Sequence, residues 1–263
     1  MGKKYFAWSF DDGLEQDFRI VEILKKYKMG ATFHLNSGLF GDKTYEGRIG
    51  NLGMTEVPAE KFDPHKKHLL PYAEHFRLEK AEAKELYKGF EIASHTAHHI
   101  NLLSCDEETR RKEIMEDVAA LSEIFGQQVT GFAYPYGVGA KKCRAILKNA
   151  GVTYARTVGT AKDFSFPEDP LALPMTGWHL KKDTMTKVQA FLDAPAENDD
   201  LFFLMFAHGY EFDFGTKESN WEKFEDICAL VSGKPDVICC SVGDAFRMRG
   251  NKAPVCDPDR SGI

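Results

Sequence analysis

The chain has 263 residues, 34 basic and 40 acidic side chains (net charge −6), 43% hydrophobic and 28% charged residues. This is ordinary globular usage with length for one large domain or two small ones, and it excludes a disordered, collagen-like or coiled-coil chain. The acidic balance offers no field to displace counterions from nucleic acid, and the longest apolar run, 201–207, is too short to span a bilayer.

Residues 5–10 are the first strand candidate. Leu14, Phe18, Val21 and Leu24 follow at helical spacing, and Gly30 is a fitting stop before a second strand over 31–35. Further apolar runs at 90–93, 131–134, 153–158, 171–175, 201–207 and 237–241 alternate with segments of helical period. The clearest helix opens on Ser104-Cys105-Asp106-Glu107, read as a capping box, with Ile114, Val118, Leu121 and Phe125 as its buried stripe. This alternation is the signature of parallel strands joined by helices. Seven or eight such units without a Pro/Ser-rich linker predict a single α/β domain over 1–263, built as a closed or nearly closed β/α barrel. The departure is 36–77, rich in Gly, Pro and His and too long for a strand-to-helix connection. It is expected to form an elaborated loop on one rim, and its His65, His68 and His75 show no chemistry in the pattern.

The first residues lack the apolar core of a secretory signal. Six cysteines (Cys105, Cys143, Cys228, Cys239, Cys240, Cys256) have no C-x-x-C spacing. Both features point to a cytoplasmic protein with reduced thiols, a trimmed secreted chain being the alternative.

Four constellations carry candidate chemistry. The first strand ends in Ser9-Phe10-Asp11-Asp12-Gly13; paired acids beside a turn more often cap a helix than catalyse. His95 and His99 lie four apart in His95-Thr96-Ala97-His98-His99, so on a helical turn both imidazoles would face one metal; His98 is the competing second ligand, and a polar surface turn is the bland reading. Two imidazoles and one carboxylate leave an ion with open positions, which suits catalysis, although similar ligands also serve non-haem iron. The third and fourth groups are Tyr134-Pro135-Tyr136-Gly137 and His208-Gly209-Tyr210-Glu211, each by itself compatible with packing alone. All four fall at the C-terminal ends of strands, the rim where parallel barrels keep their active sites.

With these residues in view, the sequence resembles the polysaccharide deacetylases, the NodB-homology group of metal-dependent carbohydrate esterases. Ser9 to Gly13 is similar to the family's first motif, which implies Asp11 as catalytic base and Asp12 as metal ligand. His95 to His99 matches its histidine motif, implying both outer histidines as ligands. Tyr134 to Gly137 resembles the third, whose aromatic backbone N–H, here of Tyr136, helps hold the oxyanion, and His208 stands where the family has its general acid. The implied fold is a distorted (β/α)7-8 barrel. The implied cofactor is one divalent metal ion, zinc first, with cobalt, nickel, manganese or iron as alternatives. The implied reaction removes acetyl groups from an N-acetylated or O-acetylated carbohydrate by attack of a metal-bound water. In two places the sequence departs from the pattern. Ala133 stands where the family has an arginine orienting the base, and Arg156 is the candidate replacement. The family's Asp–Trp pair has no direct counterpart: Trp178 is present, with Asp183 or Glu211 as candidate carboxylates, and Trp178 is also the candidate to stack on a sugar face. A cytosolic small-molecule amidohydrolase or deformylase of the same fold and a non-catalytic carbohydrate-binding relative are the competing readings, with non-haem iron oxygenation behind them.

Overall fold

The computed structural model describes residues 2–48, 54–58, 61, 72–197 and 199–249; His65, His68 and Cys256 lie outside them. In chain order the elements are β1 (Lys4–Asp11), α1 (Asp17–Lys26), β2 (Ala31–Leu35), β3 (Lys43–Arg48), β4 (Met54–Pro58), β5 (Tyr72–Phe76), α2 (Lys80–Leu86), β6 (Glu91–Ser94), α3 (Glu107–Phe125), β7 (Gly131–Ala133), α4 (Ala140–Asn149), β8 (Tyr154–Thr160), β9 (Leu173–Met175), β10 (Gly177–Trp178), α5 (Thr184–Asp193), β11 (Leu201–His208), α6 (Gly209–Phe212), α7 (Trp221–Val231), β12 (Val237–Cys239) and α8 (Val242–Met248). Parallel pairing runs β10-β11-β1-β2-β6-β7-β8-β9. Because β9 and β10 are parted only by Thr176, whose N–H donates to Leu204, the segment 173–178 nearly closes the ring between β8 and β11. The result is a nearly closed barrel of seven strand positions. The eighth run, β12, pairs only with the lower half of β1, Lys4 to Phe6, along the edge that β2 leaves open below Trp8.

The period of two along each strand sorts its side chains into two layers. Phe6, Trp8 and Phe10 of β1 join the cluster that packs with Ile20 and Leu24 of α1 and Phe224 and Ile227 of α7; Trp8 stacks on Phe10 at 5.3 Å and meets Phe224 edge-on at 5.0 Å. Burying each such aromatic contributes roughly 1.5–3 kcal/mol. Tyr5 and Ala7 alternate onto the other face with Tyr154, Phe202 and Leu204, and α8 stops this lower end with Phe246, stacked on Tyr154 at 6.1 Å. Continued upward, the same inward rows read Ser9 and Asp11 on β1, Arg156 on β8, and Phe206 and His208 on β11. Each inward row thus changes from apolar to polar at its C-terminal end, so the pattern that builds the core also builds the mouth.

Several local expectations are corrected. Helix α3 is capped by Asp106, whose side chain accepts from Thr109 N at 2.7 Å, rather than by Ser104. Phe18 is 49% exposed; Ile20 and Ile23 join Val21 and Leu24 on the buried face of α1. Within the expected loop 36–77, the described residues form a three-stranded antiparallel sheet of order β4-β3-β5. Its last strand runs into the turn after β1: Glu15 N donates to Phe76 O at 2.8 Å and Leu78 N to Gly13 O at 2.9 Å.

Candidate active site

Asp11 and Asp12 end β1 side by side. Asp11 continues the strand, paired in register with His208 of β11 and His34 of β2. Asp12 turns out of it with φ 79°, and Gly13 follows at φ 69°. A Cβ on Gly13 would lie 2.7 Å from Leu35 Cδ2, so the turn needs glycine both for its conformation and for its space. Thr96, His99 and Tyr136 are also left-handed non-glycine residues, at φ 64°, 51° and 58°. Each costs on the order of 1–2 kcal/mol and is held by its surroundings, a concentration of strain typical of functional sites.

The histidine segment is an irregular loop, not the helical turn expected from the four-residue spacing. Asn36 Nδ2 binds the carbonyls of His95 and Thr96 at 2.7 and 2.9 Å and fixes its path. Buried Asp117 of α3 anchors its start, accepting from Ser94 Oγ at 2.5 Å and from His95 N at 3.2 Å. The rings of His95 and His99 still converge, with centroids 4.9 Å apart. His98 turns outward to Glu113, its Nδ1 2.7 Å from Oε1, and takes no part in the site.

Asp12, His95 and His99 each offer a ligand atom within 4.8 Å of the others. This donor set fits a divalent metal on two further observations. His95 Nδ1 lies 2.8 Å from the carbonyl of Ala133, which only accepts, so Nδ1 carries the proton and Nε2 presents its lone pair. Asp12 Oδ1 is buried without a hydrogen-bond partner, with His99 Nε2 at 3.8 Å, whereas Oδ2 is taken by His75. A buried carboxylate oxygen that accepts no hydrogen bond, beside two imidazole nitrogens and with Arg77 no nearer than 3.6 Å, is what an ion would satisfy.

Arg156 lies on Asp11. Its Nη2 donates to both carboxylate oxygens, at 2.5 Å to Oδ1, its Nε donates to Ser9 Oγ at 2.9 Å, and its guanidinium lies 4.2 Å over the ring of Phe206. Burial alone would raise the Asp11 pKa, but Arg156, with His95 and His34, brings it down to about 2. His34, buried beneath the pair, is held neutral by desolvation, its pKa lowered to about 3. Across the mouth, His208 Nε2 is 3.9 Å from Asp12 Oδ2 and 4.0 Å from Asp11 Oδ2. Burial opposes the charged imidazole, yet Glu211, 3.3 Å from Nδ1, and the two aspartates raise its pKa to about 10. Glu211 also accepts from Trp178 Nε1 at 3.3 Å, so it is the carboxylate that joins His208 to Trp178. Asp183 instead precedes α5 and pairs with Lys187.

A cavity of about 510 Å³ opens over these groups, in the range of small-ligand pockets. Tyr136 stands on its rim, 58% exposed, with its ring 4.9 Å from that of His99. Trp178, Met175 and Phe206 supply an apolar wall. The 36–77 segment contributes groups that the sequence pattern does not mark: His75 on Asp12, Arg77 with Nη2 3.6 Å from Asp12 Oδ1, and Glu46 in the lining.

The polysaccharide deacetylase family model matches residues 1–155, more than half of the chain. A poly-beta-1,6-N-acetyl-D-glucosamine N-deacetylase of Staphylococcus aureus is 27% identical over 163 residues, covering 57% of this chain and 47% of its own, so this chain's match spans about half the length of that relative. Among solved structures, a Mycobacterium smegmatis protein superposes with TM-score 0.57 at 17% identity (93% of this chain, 90% of its own). Peptidoglycan deacetylase PdaC from Bacillus subtilis superposes with TM-score 0.54 at 15% identity (94% and 92%). At such identities the likeness is one of fold, and it is the fold derived above. Motif order, barrel and family match agree: the chain belongs to the polysaccharide deacetylase family.

Proposed function

We propose that the chain is a metal-dependent hydrolase that removes acetyl groups from an acetylated carbohydrate, in the first place an N-acetylated one. The observation that carries this reading is the convergence of Asp12, His95 and His99 beside a carboxylate, Asp11, paired with Arg156, and an imidazole, His208, backed by Glu211. Asp12, His95 and His99 would hold a divalent ion, zinc in the first place by likeness to the family, which when bound polarises the acetyl carbonyl and acidifies water. Asp11, kept ionised and oriented by Arg156, takes the proton of the attacking water. His208 gives its proton to the leaving amine, which departs poorly without one. Two titratable groups pushed apart in opposite directions are what an acid–base pair needs at neutral pH. The Tyr136 N–H, on its strained turn, is assigned to the developing oxyanion, a contribution of roughly 3 kcal/mol in such sites. Trp178 offers a face to the sugar ring.

The test is acetate release by the purified protein. Substrates would be oligomers of N-acetylglucosamine, peptidoglycan fragments, acetylated xylan and small amides, before and after chelation. Release that stops on chelation and returns with zinc is expected. Release indifferent to chelation, or none from any substrate by the zinc-loaded protein, refutes the proposal.

A further inference from the structure

The inserted sheet makes a contact that the barrel alone cannot. Directly opposed residues in an antiparallel pair share a face, and the register sets Thr44 against His75 and Glu46 against Ala73. The face that carries Thr44, Glu46 and His75 is the one turned to Asp12. His75, 1% exposed, places Nε2 3.1 Å from Asp12 Oδ2 and 3.3 Å from Glu46 Oε2. Nε2 thus faces the oxygens of two carboxyl groups, whose place is to accept, and Nε2 is the donor. The other ring nitrogen, Nδ1, lies 3.2 Å from Thr44 Oγ1, and the ring meets Tyr210 edge-on at 5.1 Å. The imidazole is fixed on both nitrogens and one edge, while Asp12 Oδ1 keeps no hydrogen bond.

We infer that His75 is a positioning residue for the metal site: by occupying Oδ2 it turns Oδ1 of Asp12 toward His95 and His99 and presents the carboxylate as a one-oxygen ligand. The inserted sheet is then a part of the ion-binding apparatus contributed from outside the barrel. This inference rests on the assignment of Asp12, His95 and His99 as ligands. Without His75, Asp12, a left-handed residue at the end of a strand, loses its one side-chain hydrogen bond and keeps only the looser pairings with Arg77 at 3.6 Å and His208 at 3.9 Å, so more of its ordering falls to the ion. Partners of this outer kind are worth about 10- to 100-fold in metal affinity.

The experiment measures zinc binding to the apo-protein by competition with a chromophoric chelator, with circular dichroism to establish that each variant is folded. His75→Phe keeps a ring against Tyr210 but loses the donor, and roughly 10- to 100-fold weaker zinc binding is expected. His75→Gln keeps an N–H for Oδ2 and is expected within about threefold of the parent. A merely structural histidine would move stability and leave zinc affinity alone, so a folded His75→Phe protein binding zinc as tightly as the parent overturns the inference. Should His75→Phe not fold, Thr44→Val, which removes only the hydroxyl facing Nδ1, decides: severalfold weaker binding supports the inference and unchanged binding overturns it. A parent protein that takes up no zinc refutes the ligand assignment itself, a result distinct from tight binding by both parent and variant.

Discussion

Replacing Arg156 by Met gives a measurement of what the buried ion pair does. The substitution keeps an unbranched side chain over Phe206 while removing the donors to Asp11 and Ser9. In the parent, Asp11 titrates at about 2 rather than 3.8, so between these values folding is linked to loss of a proton. The Asp11 contribution, about 2 kcal/mol at 1.36 kcal/mol per pKa unit, is present above pH 4 and is lost as pH falls through 2. Without Arg156 the first-ranked lowering charge is gone and desolvation, the largest influence on this group, pulls its pKa upward from about 2, so ionised Asp11 loses stabilisation. Breaking such a buried pair costs about 3–5 kcal/mol, which for a chain of this size lowers Tm by about 6–20 °C. The assay is urea denaturation of parent and variant across a pH series, with thermal denaturation at neutral pH. The gap between them should be larger near neutral pH than in acid, where the parent's Asp11 is protonated as well. A gap independent of pH, or a Tm within about 2 °C of the parent, refutes the electrostatic account of this pair.

Three further outcomes are expected. His208→Gln should slow hydrolysis of amides by about 10²- to 10⁴-fold, the usual range for a lost general acid, and hurt activated esters far less; equal losses contradict its role. Gly137→Ala, whose Cβ would lie 2.2 Å from Val158 Cγ2 at φ 71°, should displace the Tyr136 turn. Both Tm and turnover should fall, and a silent substitution would show that the turn is soft. Asp17, buried and hydrogen-bonded by Tyr87 at 2.5 Å, has its pKa raised by desolvation to about 7. Its stabilising protonated form is lost as pH rises toward 7, at a cost of about 4 kcal/mol, so Asp17→Asn should flatten stability between about pH 4 and 7. An unchanged slope there would place the titration elsewhere.

The parts of the site visible in the sequence are those encoded locally. Asp11, Asp12, His95, His99 and His208 each end or follow an apolar strand, and in a parallel barrel every such end lies on one rim. Arg156 is legible by the same reasoning, since Tyr154 and Arg156 share a strand face whose lower member is core. The helical turn assigned to 95–99 fails because a four-residue spacing says nothing of the backbone between, and Asn36 draws that backbone into a loop. The role of His75 is invisible for a different reason. It depends on the antiparallel register of β3 with β5, set between segments more than twenty residues apart in a stretch whose Gly, Pro and polar residues carry no clear period. Glu211 could be seen as a candidate three residues beyond His208, but choosing it over Asp183 required knowing that α6 folds it back under the imidazole.

Strand order also has a consequence for synthesis. β1 leaves the ribosome before the other barrel strands, yet the whole of one edge waits for β11 and the lower part of the other for β12, more than 190 and 230 residues later. Until then its row of amides and carbonyls is an open template for other chains, and pairing across so long a stretch of sequence is slow. A nascent polypeptide stalled before residue 200 would carry both aspartates and both paired histidines but neither the strand that seals them nor His208. Translation arrested there should recruit holdase chaperones, and synthesis of β11 and β12 completes wall and mouth.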